Sequence, residues 1–268
     1  MPALARSAAL TLLVLLALAS ALLSGCAGTP DEDPERSVEV LFERAQTSLS
    51  NGNYGEAIQR YESLIARYPF GAHALQAQLM IIYAHYLAGQ YESVVAAADR
   101  FIRMHPQDEN VAYALYMRGI AHQSMGPGGL GRLLRVDANL RDPEPKRRAF
   151  GDFRELIRDF PDSEYVDDAQ KRQETIRKAL AAHELYITDF YLERGAYIAA
   201  ANRAQTVIAH YPGTPAVPEA MDKLARAYRG LGLKDLSEQV DEEIRRRHEV
   251  PLDLPLQESP ESPSLLGR

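Results

Sequence analysis

Seven histidines, one cysteine and one glycine-rich run are the residues of this chain whose types could do chemistry. The histidines stand singly at His73, His85, His105, His122, His183, His210 and His248. No two have the i,i+4 spacing, with a glutamate between, that lets one helix face bind zinc. His85, beside Ile81, Ile82 and Tyr86, reads as a helix-packing residue. No Gly-x-Ser-x-Gly turn presents a serine nucleophile. Gly128-Gly129-Leu130-Gly131 has the look of a phosphate loop but follows a helical pattern rather than a strand, which argues against a nucleotide site. Acidic residues fall beside arginines on helical faces, where solvated surface pairs account for them. The chain therefore reads as a non-enzyme with no metal and no cofactor, and its function has to come from surfaces.

The composition narrows those surfaces. The chain has 268 residues, 30 Lys+Arg against 37 Asp+Glu, and 46% hydrophobic content. That is enough to build one large or two small cores. A formal net charge of −7 leaves no surplus for neutralising phosphates, so nucleic acid is excluded as a general partner. A single cysteine can form neither an internal disulfide nor a thiolate cluster, and the fold must rest on packing.

The first 26 residues account for the cysteine. Residues 1–25 carry one charge, Arg6, then an apolar and small-residue run of 16 residues from Ala8 to Leu23, then Ser24-Gly25-Cys26. Spanning a bilayer takes about 20 residues, so the run reads as a cleaved secretory signal rather than a membrane anchor. Leu23-Ser24-Gly25-Cys26 resembles the lipobox of bacterial lipoproteins, in which the cysteine is acylated and becomes the mature N-terminus. Cys26 is thus the expected lipidation site, with covalent lipid as the membrane attachment; several acyl chains hold a body durably where one would not. In such lipoproteins an Asp after the cysteine marks inner-membrane retention. Ala27 stands there, so the expected address is the periplasmic face of the outer membrane. Residues 26–37 are small, acidic and proline-punctuated, a flexible tether.

The body repeats itself. Gly52-Asn53-Tyr54-Gly55-Glu56-Ala57-Ile58 recurs as Gly89-Gln90-Tyr91-Glu92-Ser93-Val94-Val95 and as Gly195-Ala196-Tyr197-Ile198-Ala199-Ala200-Ala201. Each copy runs into a helical pattern stopped by proline 17 residues after its glycine: Tyr68-Pro69, His105-Pro106 and Tyr211-Pro212. A fourth copy keeps the second half, with Ala149, Phe153, Leu156 and Ile157 before Phe160-Pro161. A weaker fifth has Met221, Ala225, Gly232 and Ile244 at the spacing of Leu41, Ala45, Gly52 and Leu64. Each unit reads as helix A, a glycine C-cap, and helix B with an apolar stripe at 3.6-residue spacing. This is similar to the tetratricopeptide repeat of about 34 residues.

The expected fold is all-α, a solenoid of about five such helix pairs. N-terminal repeats are placed at residues 38–125, an insertion loop at 126–147, C-terminal repeats at 148–250 and a disordered proline-rich tail at 251–268. Lys171 to Glu193 reads as one long A helix with Ile176, Leu180, His183, Ile187, Phe190 and Tyr191 on its apolar side.

Helix-pair solenoids offer a groove lined by A helices to extended segments of other proteins. Phe70 lies just past a helix stop in Tyr68-Pro69-Phe70-Gly71, with Arg67, Arg100 and Arg103 nearby in the repeat register. An aromatic platform beside guanidinium groups suits a peptide with an aromatic end and a carboxylate. Stapling of repeat 1 to repeat 2 accounts for Phe70 equally well, and the two readings stay open. Arg203 follows Ala199, Ala200 and Ala201 and precedes Ala204. With little to pair with inside its own helix, it reads either as a cation facing an external carboxylate or as one half of a surface pair.

Longer motifs carry a more specific resemblance. Ala66-Arg67-Tyr68-Pro69-Phe70-Gly71, Asp99-Arg100-Phe101-Ile102-Arg103-Met104-His105-Pro106, Tyr116-Met117-Arg118-Gly119, Arg141-Asp142-Pro143 and Glu193-Arg194-Gly195-Ala196-Tyr197 resemble the BamD family, lipoprotein subunits of the β-barrel assembly (Bam) machinery. The resemblance implies a non-enzymatic outer-membrane scaffold. It implies that unfolded outer-membrane proteins are received at the N-terminal repeats, where Tyr68 matches the substrate-contacting end and Phe70, Arg100 and Arg103 are its candidate neighbours. It implies binding to the POTRA domains of BamA through the C-terminal repeats, with Arg203 at the place of the family's coupling arginine and Arg194 and Asn202 beside it. Other Bam lipoproteins are implied as further partners, although the glycine-rich run 126–131 departs from the family. Shorter Gly-x-Tyr and Tyr-Pro repeats fit a periplasmic lipoprotein that scaffolds peptidoglycan enzymes or the Tol-Pal system equally well.

Overall fold

A computed structural model describes residues 37–125 and 142–249. Cys26, the signal, the tether, most of the insertion and the tail lie outside those residues. Among the described residues there are ten helices and no strand. In chain order they are α1 (Val38–Ser50), α2 (Tyr54–Arg67), α3 (Ala72–Leu87), α4 (Tyr91–Met104), α5 (Val111–Ser124), α6 (Glu144–Asp159), α7 (Val166–Glu193), α8 (Tyr197–His210), α9 (Ala216–Gly230) and α10 (Lys234–Glu249). They form five antiparallel pairs, as the repeats require. None is long and apolar enough to cross a membrane.

Four A-to-B turns are built alike. Gly52 has φ +78°, and its N–H donates to the Leu49 carbonyl at 3.1 Å while the next N–H, of Asn53, reaches back to Ser48 at 2.9 Å. This double bond satisfies carbonyls that the helix end would otherwise orphan, and it needs a left-handed residue, hence glycine. The same pair of bonds recurs at Gly89, Gly195 and Gly232. The remaining A-to-B connection, between α5 and α6, runs through the insertion. α6 starts at Glu144 and so takes in the last four residues of the stretch expected to be loop, with Asp142 Oδ1 accepting the Glu144 N–H at 2.9 Å.

The B-helix prolines fix a common register. Counting back from each, positions 12, 8 and 5 give Ala57, Tyr61 and Leu64; Val94, Ala98 and Phe101; Ala149, Phe153 and Leu156; Ala200, Ala204 and Val207. All twelve are buried. Bulk is traded between positions within the triplets: a ring at the middle position in α2 and α6, and a ring at the last position in α4. Where helices cross tightest, glycine makes room. A Cβ on Gly119 of α5 would lie 2.6 Å from the Phe153 ring, and one on Gly230 of α9 would lie 2.5 Å from the Tyr197 ring.

Each A helix packs on its own B helix, and α1–α3, α3–α5 and α7–α9 also touch directly. The apolar core follows in segments. Phe42, Ala45, Tyr61 and Leu64 of the first pair form one with Ala77 of α3. A central core runs through α3 to α6 into the first half of α7 at Ala169, Ile176 and Leu180. Two more lie beyond, with Ala181 and Leu185 in one and Leu192 in the other.

The long helix is longer than expected, 28 residues from Val166, and its buried face is differently phased. It buries Ile176, Leu180, Ala181, Glu184, Leu185, Thr188 and Leu192, while His183, Ile187 and Tyr191 are only half-buried and Phe190 is exposed. Ile176 and Leu180 keep the expected stripe, and beyond them small and polar residues occupy the inward positions in place of the large apolar ones.

Candidate functional site

The first inter-repeat turn is a surface of two adjoining hollows. The larger, about 580 Å³, lies between B helices α2 and α4 with α3 behind, so it is not the A-lined groove the repeat pattern implies. Its walls are Ile65, Ala66, Ile81, Ala96, Ala97 and Met104, and Glu62, Gln78, His85 and Arg100 supply its polar groups. Alanines on facing helices leave the volume unfilled, and Met104 is exposed at its edge. The smaller hollow, about 330 Å³, is lined by Pro69, Phe70, Leu75, Gln78 and His105 among others. Gln78 belongs to both and meets the His105 ring at 3.2 Å.

The four residues expected here are only partly gathered. Phe70 is 89% exposed and stands beside one hollow, while Arg100 stands at the other. Exposure that high disfavours the stapling role, since a staple buries its ring. Tyr68 is half-buried and lines neither hollow; Arg103 is exposed and also lines neither. His85 is not a simple packing residue. It lines the larger hollow, and its Nδ1 meets Gln90 Oε1 at 2.8 Å.

At the other end, Arg194 closes α7. Its guanidinium stacks 3.6 Å from the Phe190 ring centroid and donates to the Phe190 carbonyl at 3.1 Å. Asn202 is exposed. Of the two readings of Arg203, the structure shows the pair, with a buried acid of another helix as its other half: its Nη1 donates to Glu184 Oε2 of α7 at 3.0 Å. Most of the alanines around it face inward. Ala200, Ala201 and Ala204 are buried against α7 and α9 in the C-terminal core. Glu184 is itself buried, and Arg147 Nη2 of α6 donates to its other oxygen at 3.4 Å. Neither Glu184 nor Arg147 was singled out in the sequence; the available signal was an acid at an inward position between Leu180 and Leu185.

The stretch Tyr116 to Gly119 has a structural role. Arg118 of α5 donates to Asp99 of α4 at 2.6 Å and to Asp152 and Glu155 of α6 at 2.9 and 3.1 Å. Burial works against its charge, but Asp152, Asp99 and Glu155 outweigh burial and raise its pKa further. The buried His122 Nδ1 lies 2.6 Å from Asp152 Oδ2. The Tyr116 hydroxyl donates to Asp168 Oδ2 of α7 at 2.6 Å, and Arg172 pairs with the same carboxylate. No group of histidine, cysteine and acidic residues among the described residues has metal-site geometry.

Comparison with known proteins follows the same outline. The YfiO family profile, described as outer membrane lipoprotein, matches residues 34–243. The outer membrane protein assembly factor BamD of Vibrio cholerae is 40% identical over 82% of this chain and 92% of that protein. The protein of that name from Neisseria meningitidis serogroup A is 41% identical over 80% of this chain and 83% of its own length. Among solved structures, a crystal structure of MamA covers 81% of this chain and 98% of that one, at 16% identity and a TM-score of 0.36.

Proposed function

The chain belongs to the YfiO family of outer membrane lipoproteins, and from that premise we propose that it is a non-enzymatic subunit of the outer-membrane β-barrel assembly complex. The observation that carries the reading is the 40% identity to the Vibrio cholerae assembly factor BamD over nearly all of that protein's length. The proposed anchor is lipid on Cys26, which holds the helical body at the periplasmic face of the outer membrane. The N-terminal hollows receive unfolded outer-membrane proteins, with exposed Phe70 as aromatic platform and Arg100 as counter-charge to a terminal carboxylate. The C-terminal repeats bind the POTRA domains of BamA through the surface carrying Arg194, Asn202 and Arg203, and other Bam lipoproteins complete the assembly.

Affinity purification of the tagged chain from outer membranes tests this. Recovery of BamA and the other barrel-assembly subunits is expected. Recovery of peptidoglycan enzymes or Tol-Pal components in their place refutes the assignment. A Cys26→Ala variant should lose palmitate labelling and leave the membrane in a salt wash. Continued labelling refutes the anchor.

A further inference from the structure

Five methionines fall among the described residues, and four of them are sheltered. Met117 and Met221 are buried, and Met80 and Met125 are half-buried. Met104 is 57% exposed. It is the last residue of α4 and forms part of the wall of the larger hollow, together with Ile65 and Ile81. Among the residues lining that hollow it alone carries sulfur. Arg100 lies one helical turn before it, lines the same hollow and has no ion pair among the described residues. Residues four apart on a helix are neighbours, so the thioether and the guanidinium share one face.

We propose that Met104 is a reversible oxidation site, and that its sulfoxide weakens the hold of the larger hollow on an aromatic-ended peptide. This rests on the proposed receptor role of that hollow. A body held at the periplasmic face, as proposed above, sits in an oxidising compartment.

The oxidant is hydrogen peroxide. A lone pair of the thioether sulfur attacks one peroxide oxygen, and the O–O bond breaks as the S–O bond forms. The other oxygen leaves with both protons as water; sulfur loses two electrons and the peroxide gains them. The change acts on the hollow in two ways. A flexible apolar side chain, able to adapt to what it meets, becomes a polar one, so apolar surface beside Ile65 and Ile81 is lost. The new oxygen is also a hydrogen-bond acceptor one turn from Arg100. A guanidinium that donates to it has fewer N–H donors left for a terminal carboxylate. The fold itself is spared, because the residue of that turn which fills the core is Phe101.

The test uses the mature full-length lipoprotein in detergent micelles and a short synthetic peptide that ends in phenylalanine with a free carboxylate. Dilute hydrogen peroxide should oxidise Met104 ahead of Met80, Met117, Met125 and Met221, as read by mass spectrometry of the digested protein. Binding by the oxidised protein should fall by about tenfold, the scale of one hydrogen bond to a charged group. Methionine sulfoxide reductase should restore it. Met104→Leu should bind like the reduced wild type and keep that affinity after peroxide treatment. Met104→Gln, which sets a polar acceptor at that place without an oxidant, should weaken binding by a similar factor. Earlier oxidation of another methionine, or wild-type affinity with Met104 oxidised, refutes the switch and leaves the receptor role standing. An equal loss in peroxide-treated Met104→Leu refutes the switch as well. No binding by the reduced wild type refutes the receptor role, and the switch with it.

Discussion

Gly119 of α5 faces the Phe153 ring of α6 so closely that a methyl group on the glycine would lie 2.6 Å from Cε1. Two effects of opposite sign meet there. Alanine in a helix interior gains about 0.5–1 kcal/mol over glycine. Forcing a methyl into a filled core costs about 1–3 kcal/mol. Because Phe153 is fully buried and has no room to retreat, the second effect wins. Gly119→Ala should lower the melting temperature, and adding Phe153→Leu should restore part of the loss. A rise in melting temperature for Gly119→Ala alone would show that the helices separate at little cost.

Tyr61 is a different case, a fully buried ring whose hydroxyl has no hydrogen-bond partner. Burial pushes its phenol pKa up, as expected for a group that has lost water. An unsatisfied buried hydroxyl costs about 1–3 kcal/mol, so Tyr61→Phe should be neutral or stabilising by up to about 1 kcal/mol. For a protein of this size that is a rise of about 2–4 °C, readable by calorimetry. A fall of several degrees would mean that the hydroxyl is satisfied in solution.

Arg118 holds Asp99 of α4 and Asp152 and Glu155 of α6 through three different nitrogens. Arg118→Met leaves the buried Asp152 without its cation and should cost about 3–5 kcal/mol, the scale for breaking a buried pair from one side. Arg118→Lys should recover little, since a point charge cannot aim along three directions at once. Denaturant unfolding of both variants checks this. Near-wild-type stability of the lysine variant would reduce the hub to simple charge balance.

Asp168 has its pKa lowered from 3.8, first by the Tyr116 hydroxyl and then by Arg172. A depressed carboxylate pKa stabilises the fold above the unfolded value and loses that contribution as pH falls through the folded one. The gap in melting temperature between wild type and Asp168→Asn should therefore be full at neutral pH and shrink below about pH 3.8. The carboxylate is half exposed, so the full gap corresponds to under about 1 kcal/mol. A gap unchanged at low pH would assign it to hydrogen bonding alone.

The parts legible in the sequence are those fixed by the chain's own local geometry. The turn glycines, the stopping prolines and the buried triplets between them follow from φ, ring closure and a 3.6-residue period, none of which needs a neighbour. Arg203 was visible as an arginine among alanines, yet its partner was not, because Glu184 lies 19 residues away on another helix. The phase of the second half of α7 departs from its apolar pattern for a related reason. Its inward face is set by what α6, α8 and α9 leave room for, which is alanine and threonine as much as leucine. Gly119 carries no local signal at all; only the arrival of Phe153 explains it.

An array in which every helix pair touched only its neighbours would unravel one pair at a time. The 28 residues of α7 change that order, since Ala169, Ile176 and Leu180 belong to the central core and Ala181, Leu185 and Leu192 to the two beyond it. Melting either flank pulls on the same rigid rod, so pairs two to five should open as one unit. The first pair, whose small core reaches only as far as Ala77 of α3, frays ahead of it. In hydrogen exchange the amides of α1 and α2 should open first and those of α3 to α9 together and last, which leaves the loosest end of the molecule next to its tether.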